Sequence, residues 1–167
     1  MKDSVLIVNI KPGTLDGLVS QLKRTKFEGG ERGITKMVIE APVIIQLMNR
    51  AVSMPSSATT QRFMVVNPME WLPKRRGMVN AKEVLNKVRL RNRKLRLCEA
   101  SDALFLRMHL KKQPEGLVLV VGMKPVTNAL IRLSNNSSGL RLQSLGCGEH
   151  INFKVQEGNT LWIFRCD

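Results

Sequence analysis

The sequence predicts an α+β protein in two parts, a ferredoxin-like β-α-β-β-α-β N-terminal part and a C-terminal antiparallel β-meander. Three observations carry this expectation. Segments 15–22 and 81–97 place apolar residues at helical spacing, while the runs around them are short, rich in Val, Ile and Leu, and bounded by turn residues. From residue 117 onward the helical period disappears, and five β-rich runs follow one another at turn spacing. An apolar fraction of 43% over 167 residues is ordinary for a chain that packs a core.

Residues 5–10 (VLIVNI) read as a strand, closed by the turn chemistry of Lys11-Pro12-Gly13. Thr14 is placed to cap a helix, because a hydroxyl there can accept an otherwise orphaned backbone N–H. Leu15, Leu18, Val19 and Leu22 then recur at i, i+3, i+4 and i+7, one buried helical face. Lys23, Arg24 and Lys26 suit the negative end of the helix dipole, and Gly29-Gly30 end the helix. Residues 34–40 read as a second strand, and 43–50 fit either its continuation or a short helix. A loop is expected over 54–60 and a third strand over 62–66, stopped by Asn67-Pro68. After a turn at 73–77, Asn80 opens a helix over 81–97, and the alternation in 103–110 (ALFLRMHL) reads as a fourth strand.

The tail offers β-rich runs at 117–121, 129–133, 140–145, 151–155 and 161–164. Residues 111–116 make a joint between a basic part, 1–112, and a β-rich part, 113–167, which can share one core.

Charge is the strongest functional signal. The net charge of +14 exceeds what solubility needs, and a self-repelling excess of this size points to a polyanionic partner. It is also unevenly placed: +3 over 1–72, +10 over 73–112 and +1 over 113–167. On a helical wheel, Ala81, Val84, Leu85, Val88 and Leu95 face inward, while Lys82, Arg89, Arg93 and Arg96 form one outward stripe. Four turns of helix carry that stripe over ~21 Å, long enough to follow a phosphate backbone. Arg dominates it, and a planar guanidinium suits bidentate phosphate contact. The expected nucleic-acid-binding set is Lys74, Arg75, Arg76, Lys82, Arg89, Arg93 and Arg96. A solvated face serving solubility alone is the competing reading, but seven cations to one acid, Glu83, over 81–97 are more than that role requires.

RNA is favoured over DNA as the partner; no single-strand recognition consensus is present, so duplex or hairpin backbone is the expected contact instead of splayed bases. Two further classes stay open on the same surface. One is a metal-independent endoribonuclease, for which His150, after a glycine turn, is the candidate general base. The other is a viral-type assembly or packaging protein whose β-rich tail forms homo-oligomers. His109, on an apolar alternating run, reads as a structural or surface histidine.

Cys98, Cys147 and Cys166 are odd in number and widely spaced, which suits reduced thiols in a cytoplasmic setting and neither a disulfide framework nor a zinc site. No run approaches the ~18 apolar residues of a membrane span, no secretory signal opens the chain, and no nucleotide-cofactor fingerprint appears. No cofactor, metal or membrane partner is therefore expected.

Overall fold

The computed structural model describes residues 4–28, 34–48, 54–68, 79–91, 94–126, 128–136, 139–146, 150–151 and 160–167. In chain order these form β1 (Ser4–Ile10), α1 (Leu15–Arg24), β2 (Lys26–Glu28), β3 (Ile34–Lys36), β4 (Val38–Ile39) and α2 (Ala41–Met48). There follow β5 (Thr59–Val66), β6 (Val79–Asn80), α3 (Ala81–Arg91), β7 (Leu95–Arg96) and α4 (Asp102–His109). The last five are β8 (Val118–Val121), β9 (Ala129–Asn136), β10 (Gly139–Gly146), β11 (His150–Ile151) and β12 (Thr160–Cys166).

The α+β class holds, built on one large, mostly antiparallel sheet in the order β1-β5-β12-β8-β9-β10-β4, with β7 added beside β12. Only the β12–β8 and β10–β4 pairs are parallel. Two short hairpin-like pairs, β2–β3 and β6–β11, lie outside this sheet.

The burial of each strand explains its place. In β1 the alternate residues Val8 and Ile10 are buried while Val5 and Ile7 are exposed, as suits an edge strand covered on one face. In β12 the run Leu161-Trp162-Ile163-Phe164 is buried throughout, so this strand needs cover on both faces and sits inside the sheet. It runs parallel to β8 and antiparallel to β5, joining the N-terminal hairpin to the β8–β9–β10 meander. Buried side chains from β1 to β12 fall in one core cluster.

The ferredoxin-like order is corrected by this topology. β12, from the far end of the chain, takes the place beside β5 that the expected order reserves for an N-terminal strand. The run expected as the fourth strand is instead helix α4, with Ala103 to Arg107 buried consecutively. A short apolar run fits a buried helix as well as a strand, and Ser101-Asp102 ahead of it is a helix-start signal. The meander is corrected too: β8, β9 and β10 form one, but β12 leaves it, and β11 pairs with β6 instead. Residues 152–155 of the expected fourth run lie outside the described residues.

Other local expectations hold. The Thr14 hydroxyl accepts the Gly17 N–H at 3.1 Å, and Leu22 is buried on the inner face of α1. The helix stops at Arg24, earlier than the glycine pair, because Thr25 turns extended and Lys26–Glu28 pairs with β3. Residues 41–48 resolve as helix α2, whose Pro42 stands in the first turn where no N–H is required. α1 packs on α4, and α4 on β1 and β9, covering one face of the sheet, while α2 packs against β10.

Gly122 shows how tightly the centre is filled. Its N–H donates to the Ile163 carbonyl at 2.8 Å, and its carbonyl accepts the Cys98 N–H at 2.8 Å. A Cβ at this position would lie 2.1 Å from the ring of Phe164, which is fully buried and stacked on Trp162 at 6.1 Å. The ring has no room to retreat. Gly122→Ala is therefore expected to lose about 1–3 kcal/mol by overpacking, read as a lower urea midpoint with an unchanged m-value.

Candidate nucleic-acid interface

The helix expected over 81–97 forms only over Ala81–Arg91. Asn80 caps it, its side-chain oxygen accepting the Glu83 N–H at 2.8 Å. The inner face is as expected: Ala81, Val84, Leu85 and Val88 are all buried in the core. Leu95 and Arg96 then leave the helical path and pair with Cys166 and Arg165 of β12. The reason lies in the sheet. β8 ends opposite Ile163, so the last residues of β12 have an open edge that β7 fills, and Leu95 is buried by doing so.

The continuous 21 Å stripe is therefore corrected to a shorter helical face plus a neighbouring strand. Lys82 is exposed on α3 with no ion pair among the described residues. Arg89 lies two turns further along α3. Arg96 is displayed from β7, where its guanidinium meets the Asp167 carboxylate at 2.8 Å. Both partners are more than half exposed, so this pair contributes little and competes weakly with a phosphate. Lys87, off the expected stripe, holds Glu83 at 2.6 Å. Lys74, Arg75, Arg76 and Arg93 lie outside the described residues. Across the described residues, eleven Lys and Arg are exposed against four Asp and Glu.

Among the described residues the aromatic side chains do not form a stacking platform. Phe27, Phe63, Phe105, Trp162 and Phe164 are all buried, Phe105 being the most exposed at 6%. Unstacked bases laid across the sheet would find none of these rings available.

Beneath the surface two arginines are structural. Asp102, fully buried at the start of α4, accepts from Arg165 Nε at 2.6 Å, from an Arg165 Nη at 2.8 Å, and from the Glu99 N–H at 2.8 Å. Burial raises the Asp102 carboxyl above its usual range against the pull of Arg165, whose own pKa is raised by the hydrogen bond and charge of Asp102 despite desolvation. The three donors on this carboxylate oppose that upward shift. Arg107 is fully buried with no carboxylate beside it among the described residues. It donates to Gln113 Oε1 at 2.7 Å and to the Leu110 carbonyl, lies 6.0 Å over the Phe27 ring, and is lowered by desolvation to about 10. Gln113 passes the tie on to the Leu117 and Leu133 carbonyls at 2.6 and 3.1 Å, fixing the 111–116 segment against β9.

His150 falls in β11, paired with Asn80, at the N-cap of the basic helix. His109 is exposed at the end of α4, and not on a strand. There it lines a cavity of about 490 Å³ together with Lys11, Thr14 and Gln21, over a floor that includes Leu18 and Phe105. The strand reading of 103–110 hid this site. In a helix Phe105 and His109 are i, i+4 neighbours, and Lys11 and Thr14 come from a turn about a hundred residues earlier.

Cys98 and Cys166 are free and buried, and burial pushes both thiols up, Cys98 strongly. Thiols so held are poor nucleophiles. Among the described residues no three His, Cys, Asp or Glu side chains are grouped to hold a metal ion, and no helix is long and apolar enough to cross a membrane. No protein-family model matches the chain, and comparison with curated proteins and with solved structures returns no match.

Proposed function

We propose that the chain binds nucleic acid through its phosphate backbone, with duplex or hairpin RNA favoured over DNA and segment 73–112 as the main contact surface, in a cytoplasmic setting. The observation that carries this reading is the concentration of net charge, +10 of +14 in that one segment. Two features of the structure support it. Lys82 and Arg96 are exposed, the first unpaired among the described residues and the second held only by a surface ion pair. The burial of the described aromatic rings leaves none of them on the sheet face for a run of stacked bases, which favours backbone contact along this surface.

The test is a charge reversal at two positions whose loss leaves the core untouched, Lys82→Glu with Arg96→Glu, followed by gel shifts on an RNA hairpin at several salt concentrations. Binding weakens alike for unrelated hairpin sequences, and the salt slope falls by about two, one per phosphate contact removed. An affinity and slope equal to those of the parent, with unchanged circular dichroism, would sink the assignment of this surface.

A further inference from the structure

The cavity at the His109 end of α4 is not used by the surface just described, and its lining has a definite chemical character. It is bounded by the end of β1, the 11–14 turn, one face of α1 and the last turn of α4. At about 490 Å³ it lies within the range of small-ligand pockets. Its floor is apolar, made by Val8, Leu18, Met54, Phe105 and Met108. Lys11 and His109 give the rim its basic groups, and among the described residues no acidic side chain lines it. Asn9, Thr14 and Gln21 add polar groups, and the Gln21 carboxamide both donates and accepts hydrogen bonds, as a neutral His109 imidazole also does.

We propose that this cavity takes up a single nucleotide, with the base against the apolar floor and the phosphate at Lys11. A base has a flat apolar face, which Phe105 and the polarisable Met54 and Met108 accept. Its edge alternates donors and acceptors, which Gln21 and His109 both match. A negatively charged group satisfies the acid-free rim. A fatty chain would offer the Gln21 amide no hydrogen-bond partner. The source of the nucleotide is an unpaired residue of the bound nucleic acid, and in that respect the inference rests on the function proposed above.

Gly13 provides a clean block. It lines the cavity, and a Cβ built there meets nothing within 4 Å. Gly13→Trp is therefore expected to obstruct the cavity without disturbing the core. The full chain, with its methionine methyls labelled for NMR, is titrated with an RNA hairpin bearing one bulged nucleotide, with the same hairpin lacking the bulge, and with free nucleoside 5′-monophosphates. Met54 and Met108 methyl resonances move with the bulged hairpin and with the free monophosphates, and stay in place with the bulge-free hairpin. The bulge raises affinity about tenfold or more, and Gly13→Trp removes that gain while binding the bulge-free hairpin as the parent does. Bulged RNA that binds without moving those methyls, or a gain that survives Gly13→Trp, overturns the site and leaves the wider reading intact. If neither hairpin binds, the free monophosphates decide alone. Shifted methyls then keep the cavity as a site for free nucleotide, and still methyls dismiss it.

Discussion

On the proposed function, raising salt from 50 to 200 mM is expected to weaken binding of a short RNA or DNA duplex on the order of a thousandfold. The seven cations Lys74, Arg75, Arg76, Lys82, Arg89, Arg93 and Arg96 each displace one condensed counterion when they meet a phosphate. At about 0.9 counterions per contact, seven contacts give a slope near −6 in log affinity against log salt. The pair between Arg96 and Asp167 changes this little, because both side chains are more than half exposed and their attraction is itself screened. A slope shallower than about −2, measured by fluorescence anisotropy over that range, would mean that most of these side chains touch no phosphate.

Asp102→Ala lowers stability by about 3 kcal/mol or more. The carboxylate is fully buried and holds Arg165 through two hydrogen bonds, so its removal leaves a half-buried guanidinium without its hydrogen-bonded counter-ion. It also orphans the Glu99 N–H at the entry to α4. Adding Arg165→Met recovers much of the loss, since an apolar side chain needs no counter-ion. Urea melts of the two single variants and the double variant measure the coupling, which is expected to exceed 1 kcal/mol. Additive losses would mean that the pair is not cooperative.

How much of this was readable beforehand depends on what each residue answers to. β1, the Thr14 cap, the inner face of α1 and the β8–β10 strands follow from local rules, because alternation, capping and turn chemistry act within a few residues. α4 was misread because eight mainly apolar residues carry no usable period once nearly every position is buried. The C-terminal end of α3 was misread for a different reason. Nothing near Leu95 reports that β12 lacks a neighbour on its β8 side beyond Ile163, and that open edge turns Leu95-Arg96 into a strand. Tertiary demand overrides propensity there. In the candidate interface, the exposure of Lys82 follows from the helical period, and the displacement of Arg96 does not. The His109 cavity was illegible, since it joins a turn and a helix far apart in sequence.

The position of β12 has a bearing on how the molecule is made. Because this strand lies between β5 and β8, neither of those can finish its hydrogen bonding until residues 160–166 have left the ribosome. Most of the described strands must wait, with two apolar edges open, for a partner synthesised after them. High sequence separation of this kind slows folding, and unpaired edges invite association between nascent chains. A stop introduced before Thr160 is thus expected to yield insoluble protein and not a smaller folded unit.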